Sequence, residues 1–476
     1  MKKFNKLSLV PLIFLILGAM IGSGFSDLPA NMAKRAGSLG ILLAWVVTGA
    51  GILTLVLVYR NLSLRKPDLN SGIASYARAG FGDYIGFNSA WGYWLSAVCA
   101  NASYFVIIFN TLAYFFPEIF ERDHLTIAAF IGGTAIIWFI QYLVCKGVRR
   151  AVILNVVVQI AKFIPILLFL VILLAVFNID KFSFDFFSAD TGLGNIGTQI
   201  KSIMLVTVWV FIGIEGAIVI SERAKIRKDI GRATIIAMVC ALLIYMLISL
   251  LTFGYMSQQE AAALNTPSTA YILEQIVGPW GAAVVNIGLV ISVLGAMLGW
   301  TILAAEVIYM GAKDRLMPKI FAKENRYNAP VSSLLLTNSL SQVLLIIAFL
   351  SSAAYEAIFF ISTTAILLPY LLSGMYGMKL PITGETYVQK PKGRKKDIII
   401  ATLCTIYAIW LVYAAGIENL LVVSILYAPG ILLYAKVRKE NSKKVFSNPF
   451  EIALFAVITV MAVIAAVMLI TGEIVI

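Results

Sequence analysis

Two glycine-rich interruptions and two isolated charges stand where a lipid bilayer tolerates them least. The first interruption is Gly18-Ala-Met-Ile-Gly22-Ser23-Gly24, inside an apolar stretch. The second is Phe211-Ile-Gly213-Ile-Glu215-Gly216, and it holds a carboxylate. Lys162 lies in a third apolar stretch, within Gln159-Ile-Ala-Lys162-Phe-Ile-Pro165. A helix crossing a bilayer must satisfy its own backbone groups, so glycines at mid-span work against it. Unwound backbone at that depth is tolerated where protein or a watery cavity surrounds it. Two such breaks at corresponding places in two halves of a chain point to a transport site. Close helix packing through small residues is the plainer use of such glycines, and it does not call for a carboxylate at the second break.

Each break has its own chemistry. Free N–H groups at Gly22, Ser23 and Gly24, at the positive end of a helix dipole, favour an anion such as an amino-acid carboxylate. Ser23 adds a hydroxyl, and the glycines let the ligand approach the backbone. Asp27 follows, either opening the outer half-helix or touching substrate. Unwound carbonyls around Ile212 and Gly213 can accept from an ammonium group. Glu215 could hold a proton, bind a substrate cation, latch a gate, or serve as a structural carboxylate bonded to nearby backbone. Trp209 and Trp300 can stack on flat or cationic groups, or simply pack. Lys162 sits too deep to reach an interface. It is a proton carrier, a stand-in for a bound cation, or a permanently paired structural lysine.

The elements that must position these residues are membrane helices. The chain is 61% hydrophobic and 13% charged, with mean hydropathy +0.92, which excludes an ordinary soluble enzyme. We read about 12–13 transmembrane helices. Most of the Lys and Arg behind the net charge of +13 fall on one side when connections alternate from a cytoplasmic N-terminus. The basic charge is therefore topological; its partner is the lipid bilayer of the cell membrane and not nucleic acid. Cys99, Cys145, Cys240 and Cys404 lack metal-ligand spacing, and the lone His124 sits in a loop, so no metal site or cofactor is expected. Matching the first and sixth spans makes spans 1–5 and 6–10 inverted five-helix repeats. This gives a transporter core over residues 1–380 and a C-terminal group of helices over 381–476. Spans 11–13 are free for packing, for lipid contact or for forming a homodimer.

The segments Gly22-Ser-Gly-Phe-Ser-Asp-Leu-Pro-Ala-Asn-Met32, Gly82-Asp-Tyr-Ile-Gly-Phe-Asn-Ser-Ala-Trp-Gly-Tyr-Trp94, Trp209-Val-Phe-Ile-Gly-Ile-Glu-Gly216 and Leu294-Gly-Ala-Met-Leu-Gly-Trp300, with Pro369-Tyr370, carry a resemblance. They resemble the amino acid–polyamine–organocation superfamily, and within it the basic amino acid/polyamine antiporters, with the arginine/ornithine antiporter and lysine permease branch nearest. The resemblance implies an all-α, LeuT-type fold with broken helices 1 and 6. It implies that Ser23 and Gly24 hold the carboxylate and the Ile212 carbonyl region the α-ammonium. Trp300 would stack on the cationic end, Trp209 would close over it from outside, and Asn101 would contact the side-chain head group. Tyr93, Glu215, Trp300 and Tyr370 would form a gate toward the inside, and Lys162 would replace a sodium ion. The chain departs from many relatives at Phe25-Ser26-Asp27, and it carries a thirteenth span that the arginine/agmatine exchangers lack.

The expected activity is exchange of a cationic amino acid, arginine, for ornithine by alternating access, with no enzymatic step. Proton-coupled uptake of lysine or arginine is the alternative raised by Lys162 and Glu215. Neighbouring branches of the superfamily exchange agmatine/putrescine, histidine/histamine or tyrosine/tyramine. A reading of a different class is a membrane sensor that binds an amino acid without moving it.

Overall fold

The computed structural model describes residues 8–69, 72–122, 124–147, 158, 162–182, 192–216, 227–351, 354–388 and 391–474. All regular structure among them is helical. The helices are α1 (Leu9–Met20), α2 (Leu28–Ala33), α3 (Ser38–Arg65), α4 (Ile73–Phe81), α5 (Asp83–Phe115) and α6 (Ile127–Lys146). Next come α7 (Phe163–Val176), α8 (Ile196–Trp209), α9 (Arg227–Leu251), α10 (Gln258–Ala262), α11 (Ser268–Val277) and α12 (Pro279–Lys313). The chain continues with α13 (Val331–Leu350), α14 (Ala354–Thr383), α15 (Arg394–Tyr427), α16 (Gly430–Glu440) and α17 (Pro449–Thr471). Nine stretches among the described residues are helical, long and apolar enough to cross a membrane. One of them, Arg394–Glu440, is 47 residues long, far more than the roughly 20 a single crossing needs. Gly416 interrupts it with φ 77° and ψ 157°, a backbone setting that glycine adopts without strain.

The short helices explain the gap between nine and the number expected. The first span is divided into α1 and α2, and the sixth stops at Trp209. The start of the predicted fifth span, with Gln159 to Ala161, and the far end of the sixth lie outside the described residues. Apolar side chains on α6, α7 and α17, such as Phe139, Val171 and Val463, stay exposed in the protein alone. On spanning helices such surface meets lipid tails, which solvate it as the core would.

The chain divides into two compact units. One comprises Met1–Leu53, Tyr104–Ala129 and Ile153–Met297; the other comprises Thr54–Ser103, Phe130–Val152 and Leu298–Ile476. In the first unit, α1 packs on α9. Trp45 stacks on Tyr245 with ring centroids 6.1 Å apart, and Trp45 Nε1 donates to Ser249 Oγ. Close approach of α3 and α9 needs Gly49, because a Cβ there would lie 2.6 Å from Leu242. In the second unit, α14 packs on α15 and α4. Asp83 receives Arg78 Nε at 2.8 Å and Arg438 Nη1 at 2.6 Å. Arg78 also donates to the Asp314 carbonyl, tying α4 to the end of α12.

Candidate functional site

The first break is longer than its glycines alone suggest. Helix α1 ends at Met20 and the chain does not resume a helix until Leu28. The helix N-terminus therefore lies at Leu28 and not at Gly22–Gly24 as the sequence reading has it, because Ser26 N–H and Oγ–H both turn back onto the Ser23 carbonyl. The N–H groups of Gly22, Ser23 and Gly24 have no acceptor among the described residues. Ser23 is buried, and its Oγ likewise lacks a partner there. Three adjacent backbone donors and a hydroxyl in one unwound stretch suit a carboxylate.

Three carbonyls at the same break are satisfied from two other segments. Lys162 Nζ, at the start of α7 and buried, donates to the Gly18 and Ile21 carbonyls. Tyr245 Oη, on α9, donates to the Met20 carbonyl at 3.2 Å. The C-terminal end of a helix carries unpaired carbonyls and partial negative charge, so an ammonium there is favourable. Sequence alone left three roles open for Lys162; the geometry places its charge on the end of α1.

The second break meets the first. Past Trp209, Phe211, Ile212, Ile214 and Gly216 donate three residues back, a tight turn that includes Gly213 at φ 110°. Glu215 Oε1 accepts the Gly213 N–H at 2.9 Å, and the carboxylate is buried. The Ile212 carbonyl accepts from no described residue, as an ammonium-binding carbonyl should. Gly24 faces this turn so closely that a Cβ would lie 2.6 Å from Val210 Cγ1 and 3.2 Å from Trp209 Cδ1. Gly22 faces Tyr104, where a Cβ would lie 3.1 Å from the hydroxyl. Tyr104 and Trp209 are edge to face at 6.3 Å. Gly22, Ser23, Gly24, Trp209, Ile212, Lys162 and Glu215 all fall in the first unit.

Asn101, Tyr93, Trp300 and Tyr370 fall in the second. The rings of Tyr93 and Trp300 are 6.5 Å apart and inclined at 45°. Asn101 Nδ2, on α5, donates to Thr301 Oγ1, on α12, at 3.0 Å. Tyr370 is buried on α14, just after the in-helix Pro369. All four are buried, so Tyr93, Trp300 and Tyr370 are not surface packing residues.

Asp27 takes a role the sequence reading did not anticipate. Its Oδ1 accepts the Ser268 N–H, and the Ser26 carbonyl accepts the Thr269 N–H. These are the first two N–H groups of α11, whose own N-cap position is Pro267 and offers no side-chain cap. In return Ser268 Oγ accepts the Ala30 N–H of α2. The two helices cap each other although 238 to 241 residues separate the side-chain partners, in the manner of a capping box split between segments.

Sequence reasoning also missed Tyr104, Tyr245, Thr301 and Ser268. Tyr104 had a usable signal, since it lies three residues beyond Asn101 on the same helix face. Thr301 had only adjacency to Trp300. Nothing in local sequence marks Tyr245 or Ser268.

Comparison with known proteins gives this geometry a context. The family model of amino acid permeases matches residues 7–446. The arginine/ornithine antiporter of Pseudomonas aeruginosa is 43% identical over 97% of this chain and 97% of its own length. The arginine/agmatine antiporter of Chlamydia trachomatis is 39% identical over 95% of this chain and 94% of its own.

Proposed function

This chain belongs to the amino acid permease family, and we propose that it is a secondary transporter exchanging a cationic amino acid, arginine, for ornithine by alternating access. It is a multi-pass membrane protein whose relatives are transporters. The observation that carries the reading is the unwound stretch of the first span, with its unpaired N–H groups and buried Ser23 hydroxyl. Ser23 and Gly24 take the α-carboxylate, and the Ile212 carbonyl takes the α-ammonium. Trp300 stacks on the cationic end, Asn101 accepts a hydrogen bond from it, and Trp209 closes over the ligand from outside. Tyr93, Glu215, Trp300 and Tyr370 gate the inward side. The names of two relatives, an arginine/ornithine and an arginine/agmatine antiporter, support a cationic substrate. Spans 1–5 and 6–10 act as inverted repeats, with the N-terminus in the cytoplasm. Exchange requires a site that fits both ligands, and each ligand shifts the outward–inward equilibrium only by its difference in affinity for the two states.

Lys162 favours a second reading, proton-coupled uptake, because its ammonium bridges two carbonyls of the broken helix and deprotonation would take the positive charge from that helix end. Reconstituted liposomes separate the readings. Exchange requires labelled arginine to enter only vesicles preloaded with ornithine. Uptake into empty vesicles under a proton gradient replaces exchange with symport. Binding with no uptake under either condition leaves a sensor.

A further inference from the structure

Ile21 and Gly22 share one peptide group, and its two ends are differently engaged. The Ile21 C=O accepts from Lys162 Nζ. The Gly22 N–H, on the other side of the same bond, has no acceptor among the described residues. The bond is trans, and a trans peptide points its N–H opposite to its C=O. The Gly22 N–H is therefore directed away from the ammonium. It is the first of the three adjacent donors that run on through Ser23 and Gly24. Lys162 and Ser23 are each 1% exposed, so salt and bulk water screen little of what passes between the two sides of this peptide.

We infer that Lys162 is a positioning residue of the carboxylate site: acting through the Ile21–Gly22 peptide, it favours ligands with an α-carboxylate over the amines that decarboxylation makes from them. The inference rests on the reading above, in which the unwound stretch takes the α-carboxylate. Two effects act in the same direction. A cation on an amide oxygen polarises the group and strengthens its N–H as a donor, as in any chain of hydrogen bonds. The field of the ammonium adds to this. Along Nζ···O=C–N–H···O the two charges would stand about 8 Å apart, near enough to attract across a site that excludes water. Without the ammonium, the ligand's carboxylate would approach the negative end of α1, whose carbonyls repel it. An amine such as agmatine or putrescine has no carboxylate to gain from either effect, and Lys162 repels its positive charges. The counter-substrate that this site suits is therefore an amino acid such as ornithine.

Equilibrium binding of arginine and of agmatine to the purified full-length protein tests this. Lys162→Gln keeps N–H donors on a side chain one atom shorter and removes the charge. It should weaken arginine about tenfold and leave agmatine no weaker, so that the ratio between them collapses. Lys162→Arg keeps the charge and should hold the ratio near its wild-type value. Equal weakening of both ligands in Lys162→Gln would mean that the lysine only holds the helix end in place, and would overturn the inference. Wild-type arginine affinity in Lys162→Gln would overturn it too, while leaving the carboxylate site itself intact. The wild type supplies a check that needs no folded variant, since arginine must bind it more tightly than agmatine does. Equal affinities there would mean that a carboxylate gains nothing at the break, and the assignment of Ser23 and Gly24 would fall together with the inference. Ornithine-dependent arginine uptake by the wild type would still stand or fall on the liposome measurement.

Discussion

A helix end and a desolvated ammonium are each costly at membrane depth, and Lys162 joins them. Lys162→Met keeps the side chain's length and leaves the Gly18 and Ile21 carbonyls unpaired. It should lower stability by about 2–4 kcal/mol, read as a fall in the unfolding midpoint in detergent. An unchanged midpoint would mean that other groups satisfy the break. Gly24→Ala tests the meeting of the two breaks. Its Cβ would be driven into Val210 and the Trp209 ring at 2.6 and 3.2 Å, and overpacking of this kind costs about 1–3 kcal/mol. Gly22→Ala meets only the end of the Tyr104 side chain, so it should be the milder of the two in arginine binding. Trp300→Leu should weaken arginine binding by about 1–2 kcal/mol if the ring stacks on a desolvated cation. Wild-type affinity in that variant would remove Trp300 from the site. The positions of these residues were readable because glycine runs and buried charges are conspicuous in apolar sequence. Their partners were not, because Tyr245 and Tyr104 are ordinary aromatic residues until the fold aims their hydroxyls.

Among the elements, the reciprocal capping of α2 and α11 is the clearest case of a contact with no local signal. Asp27→Ala and Ser268→Ala each remove side-chain bonds made across the pair. The double variant should show a coupling energy of about 0.5–1.5 kcal/mol in thermal or denaturant unfolding; strict additivity would mean that the two helices are capped independently. By contrast, α10 carries its cap in its own sequence. Ser257 Oγ accepts the Glu260 N–H, and Glu260 accepts from the Ser257 N–H and hydroxyl. These hydrogen bonds, the backbone one foremost, hold the Glu260 carboxyl below its usual range. A depressed carboxyl stabilises the fold above its unfolded value near 4.3 and loses that effect as pH falls through the lower folded value. Hydrogen exchange at the Ser257 amide, corrected for intrinsic rate, should therefore quicken below about pH 4. Glu260→Gln should remove the pH dependence.

At the scale of the whole molecule, the last helix is joined to its unit by a buried carboxylate. Glu451, near the start of α17, accepts from the Ser447 N–H at 2.6 Å and from the Tyr84 N–H at 3.3 Å. Arg438 adds hydrogen bonds to Asp83, Ser447 and the Lys444 carbonyl. Glu451→Ala should lower the unfolding midpoint and leave arginine affinity within about twofold, since its bonds go to loop and helix-end backbone and not to the candidate site. The basic connection after α14 is likewise tied down. Arg65 lies 3.5 Å from the centre of the Tyr387 ring and bonds to Asp397. Burial and the Asp397 hydrogen bond push the Tyr387 hydroxyl up to about 12, so it stays neutral at physiological pH. Residue types and their order are enough to show that the chain is a bundle of membrane helices, where two of them break, and which residues at the breaks bear charge. Those features are set by hydropathy, by the backbone freedom of glycine and by the cost of a charge in lipid, all local properties. Folding is what brings Gly24 against Trp209, Lys162 onto the end of α1, Asp27 onto the start of α11 and Thr301 within hydrogen-bond distance of Asn101. Each of those depends on a hydrogen-bond partner or close neighbour brought from a distant segment, and packing chooses it after the helices have formed.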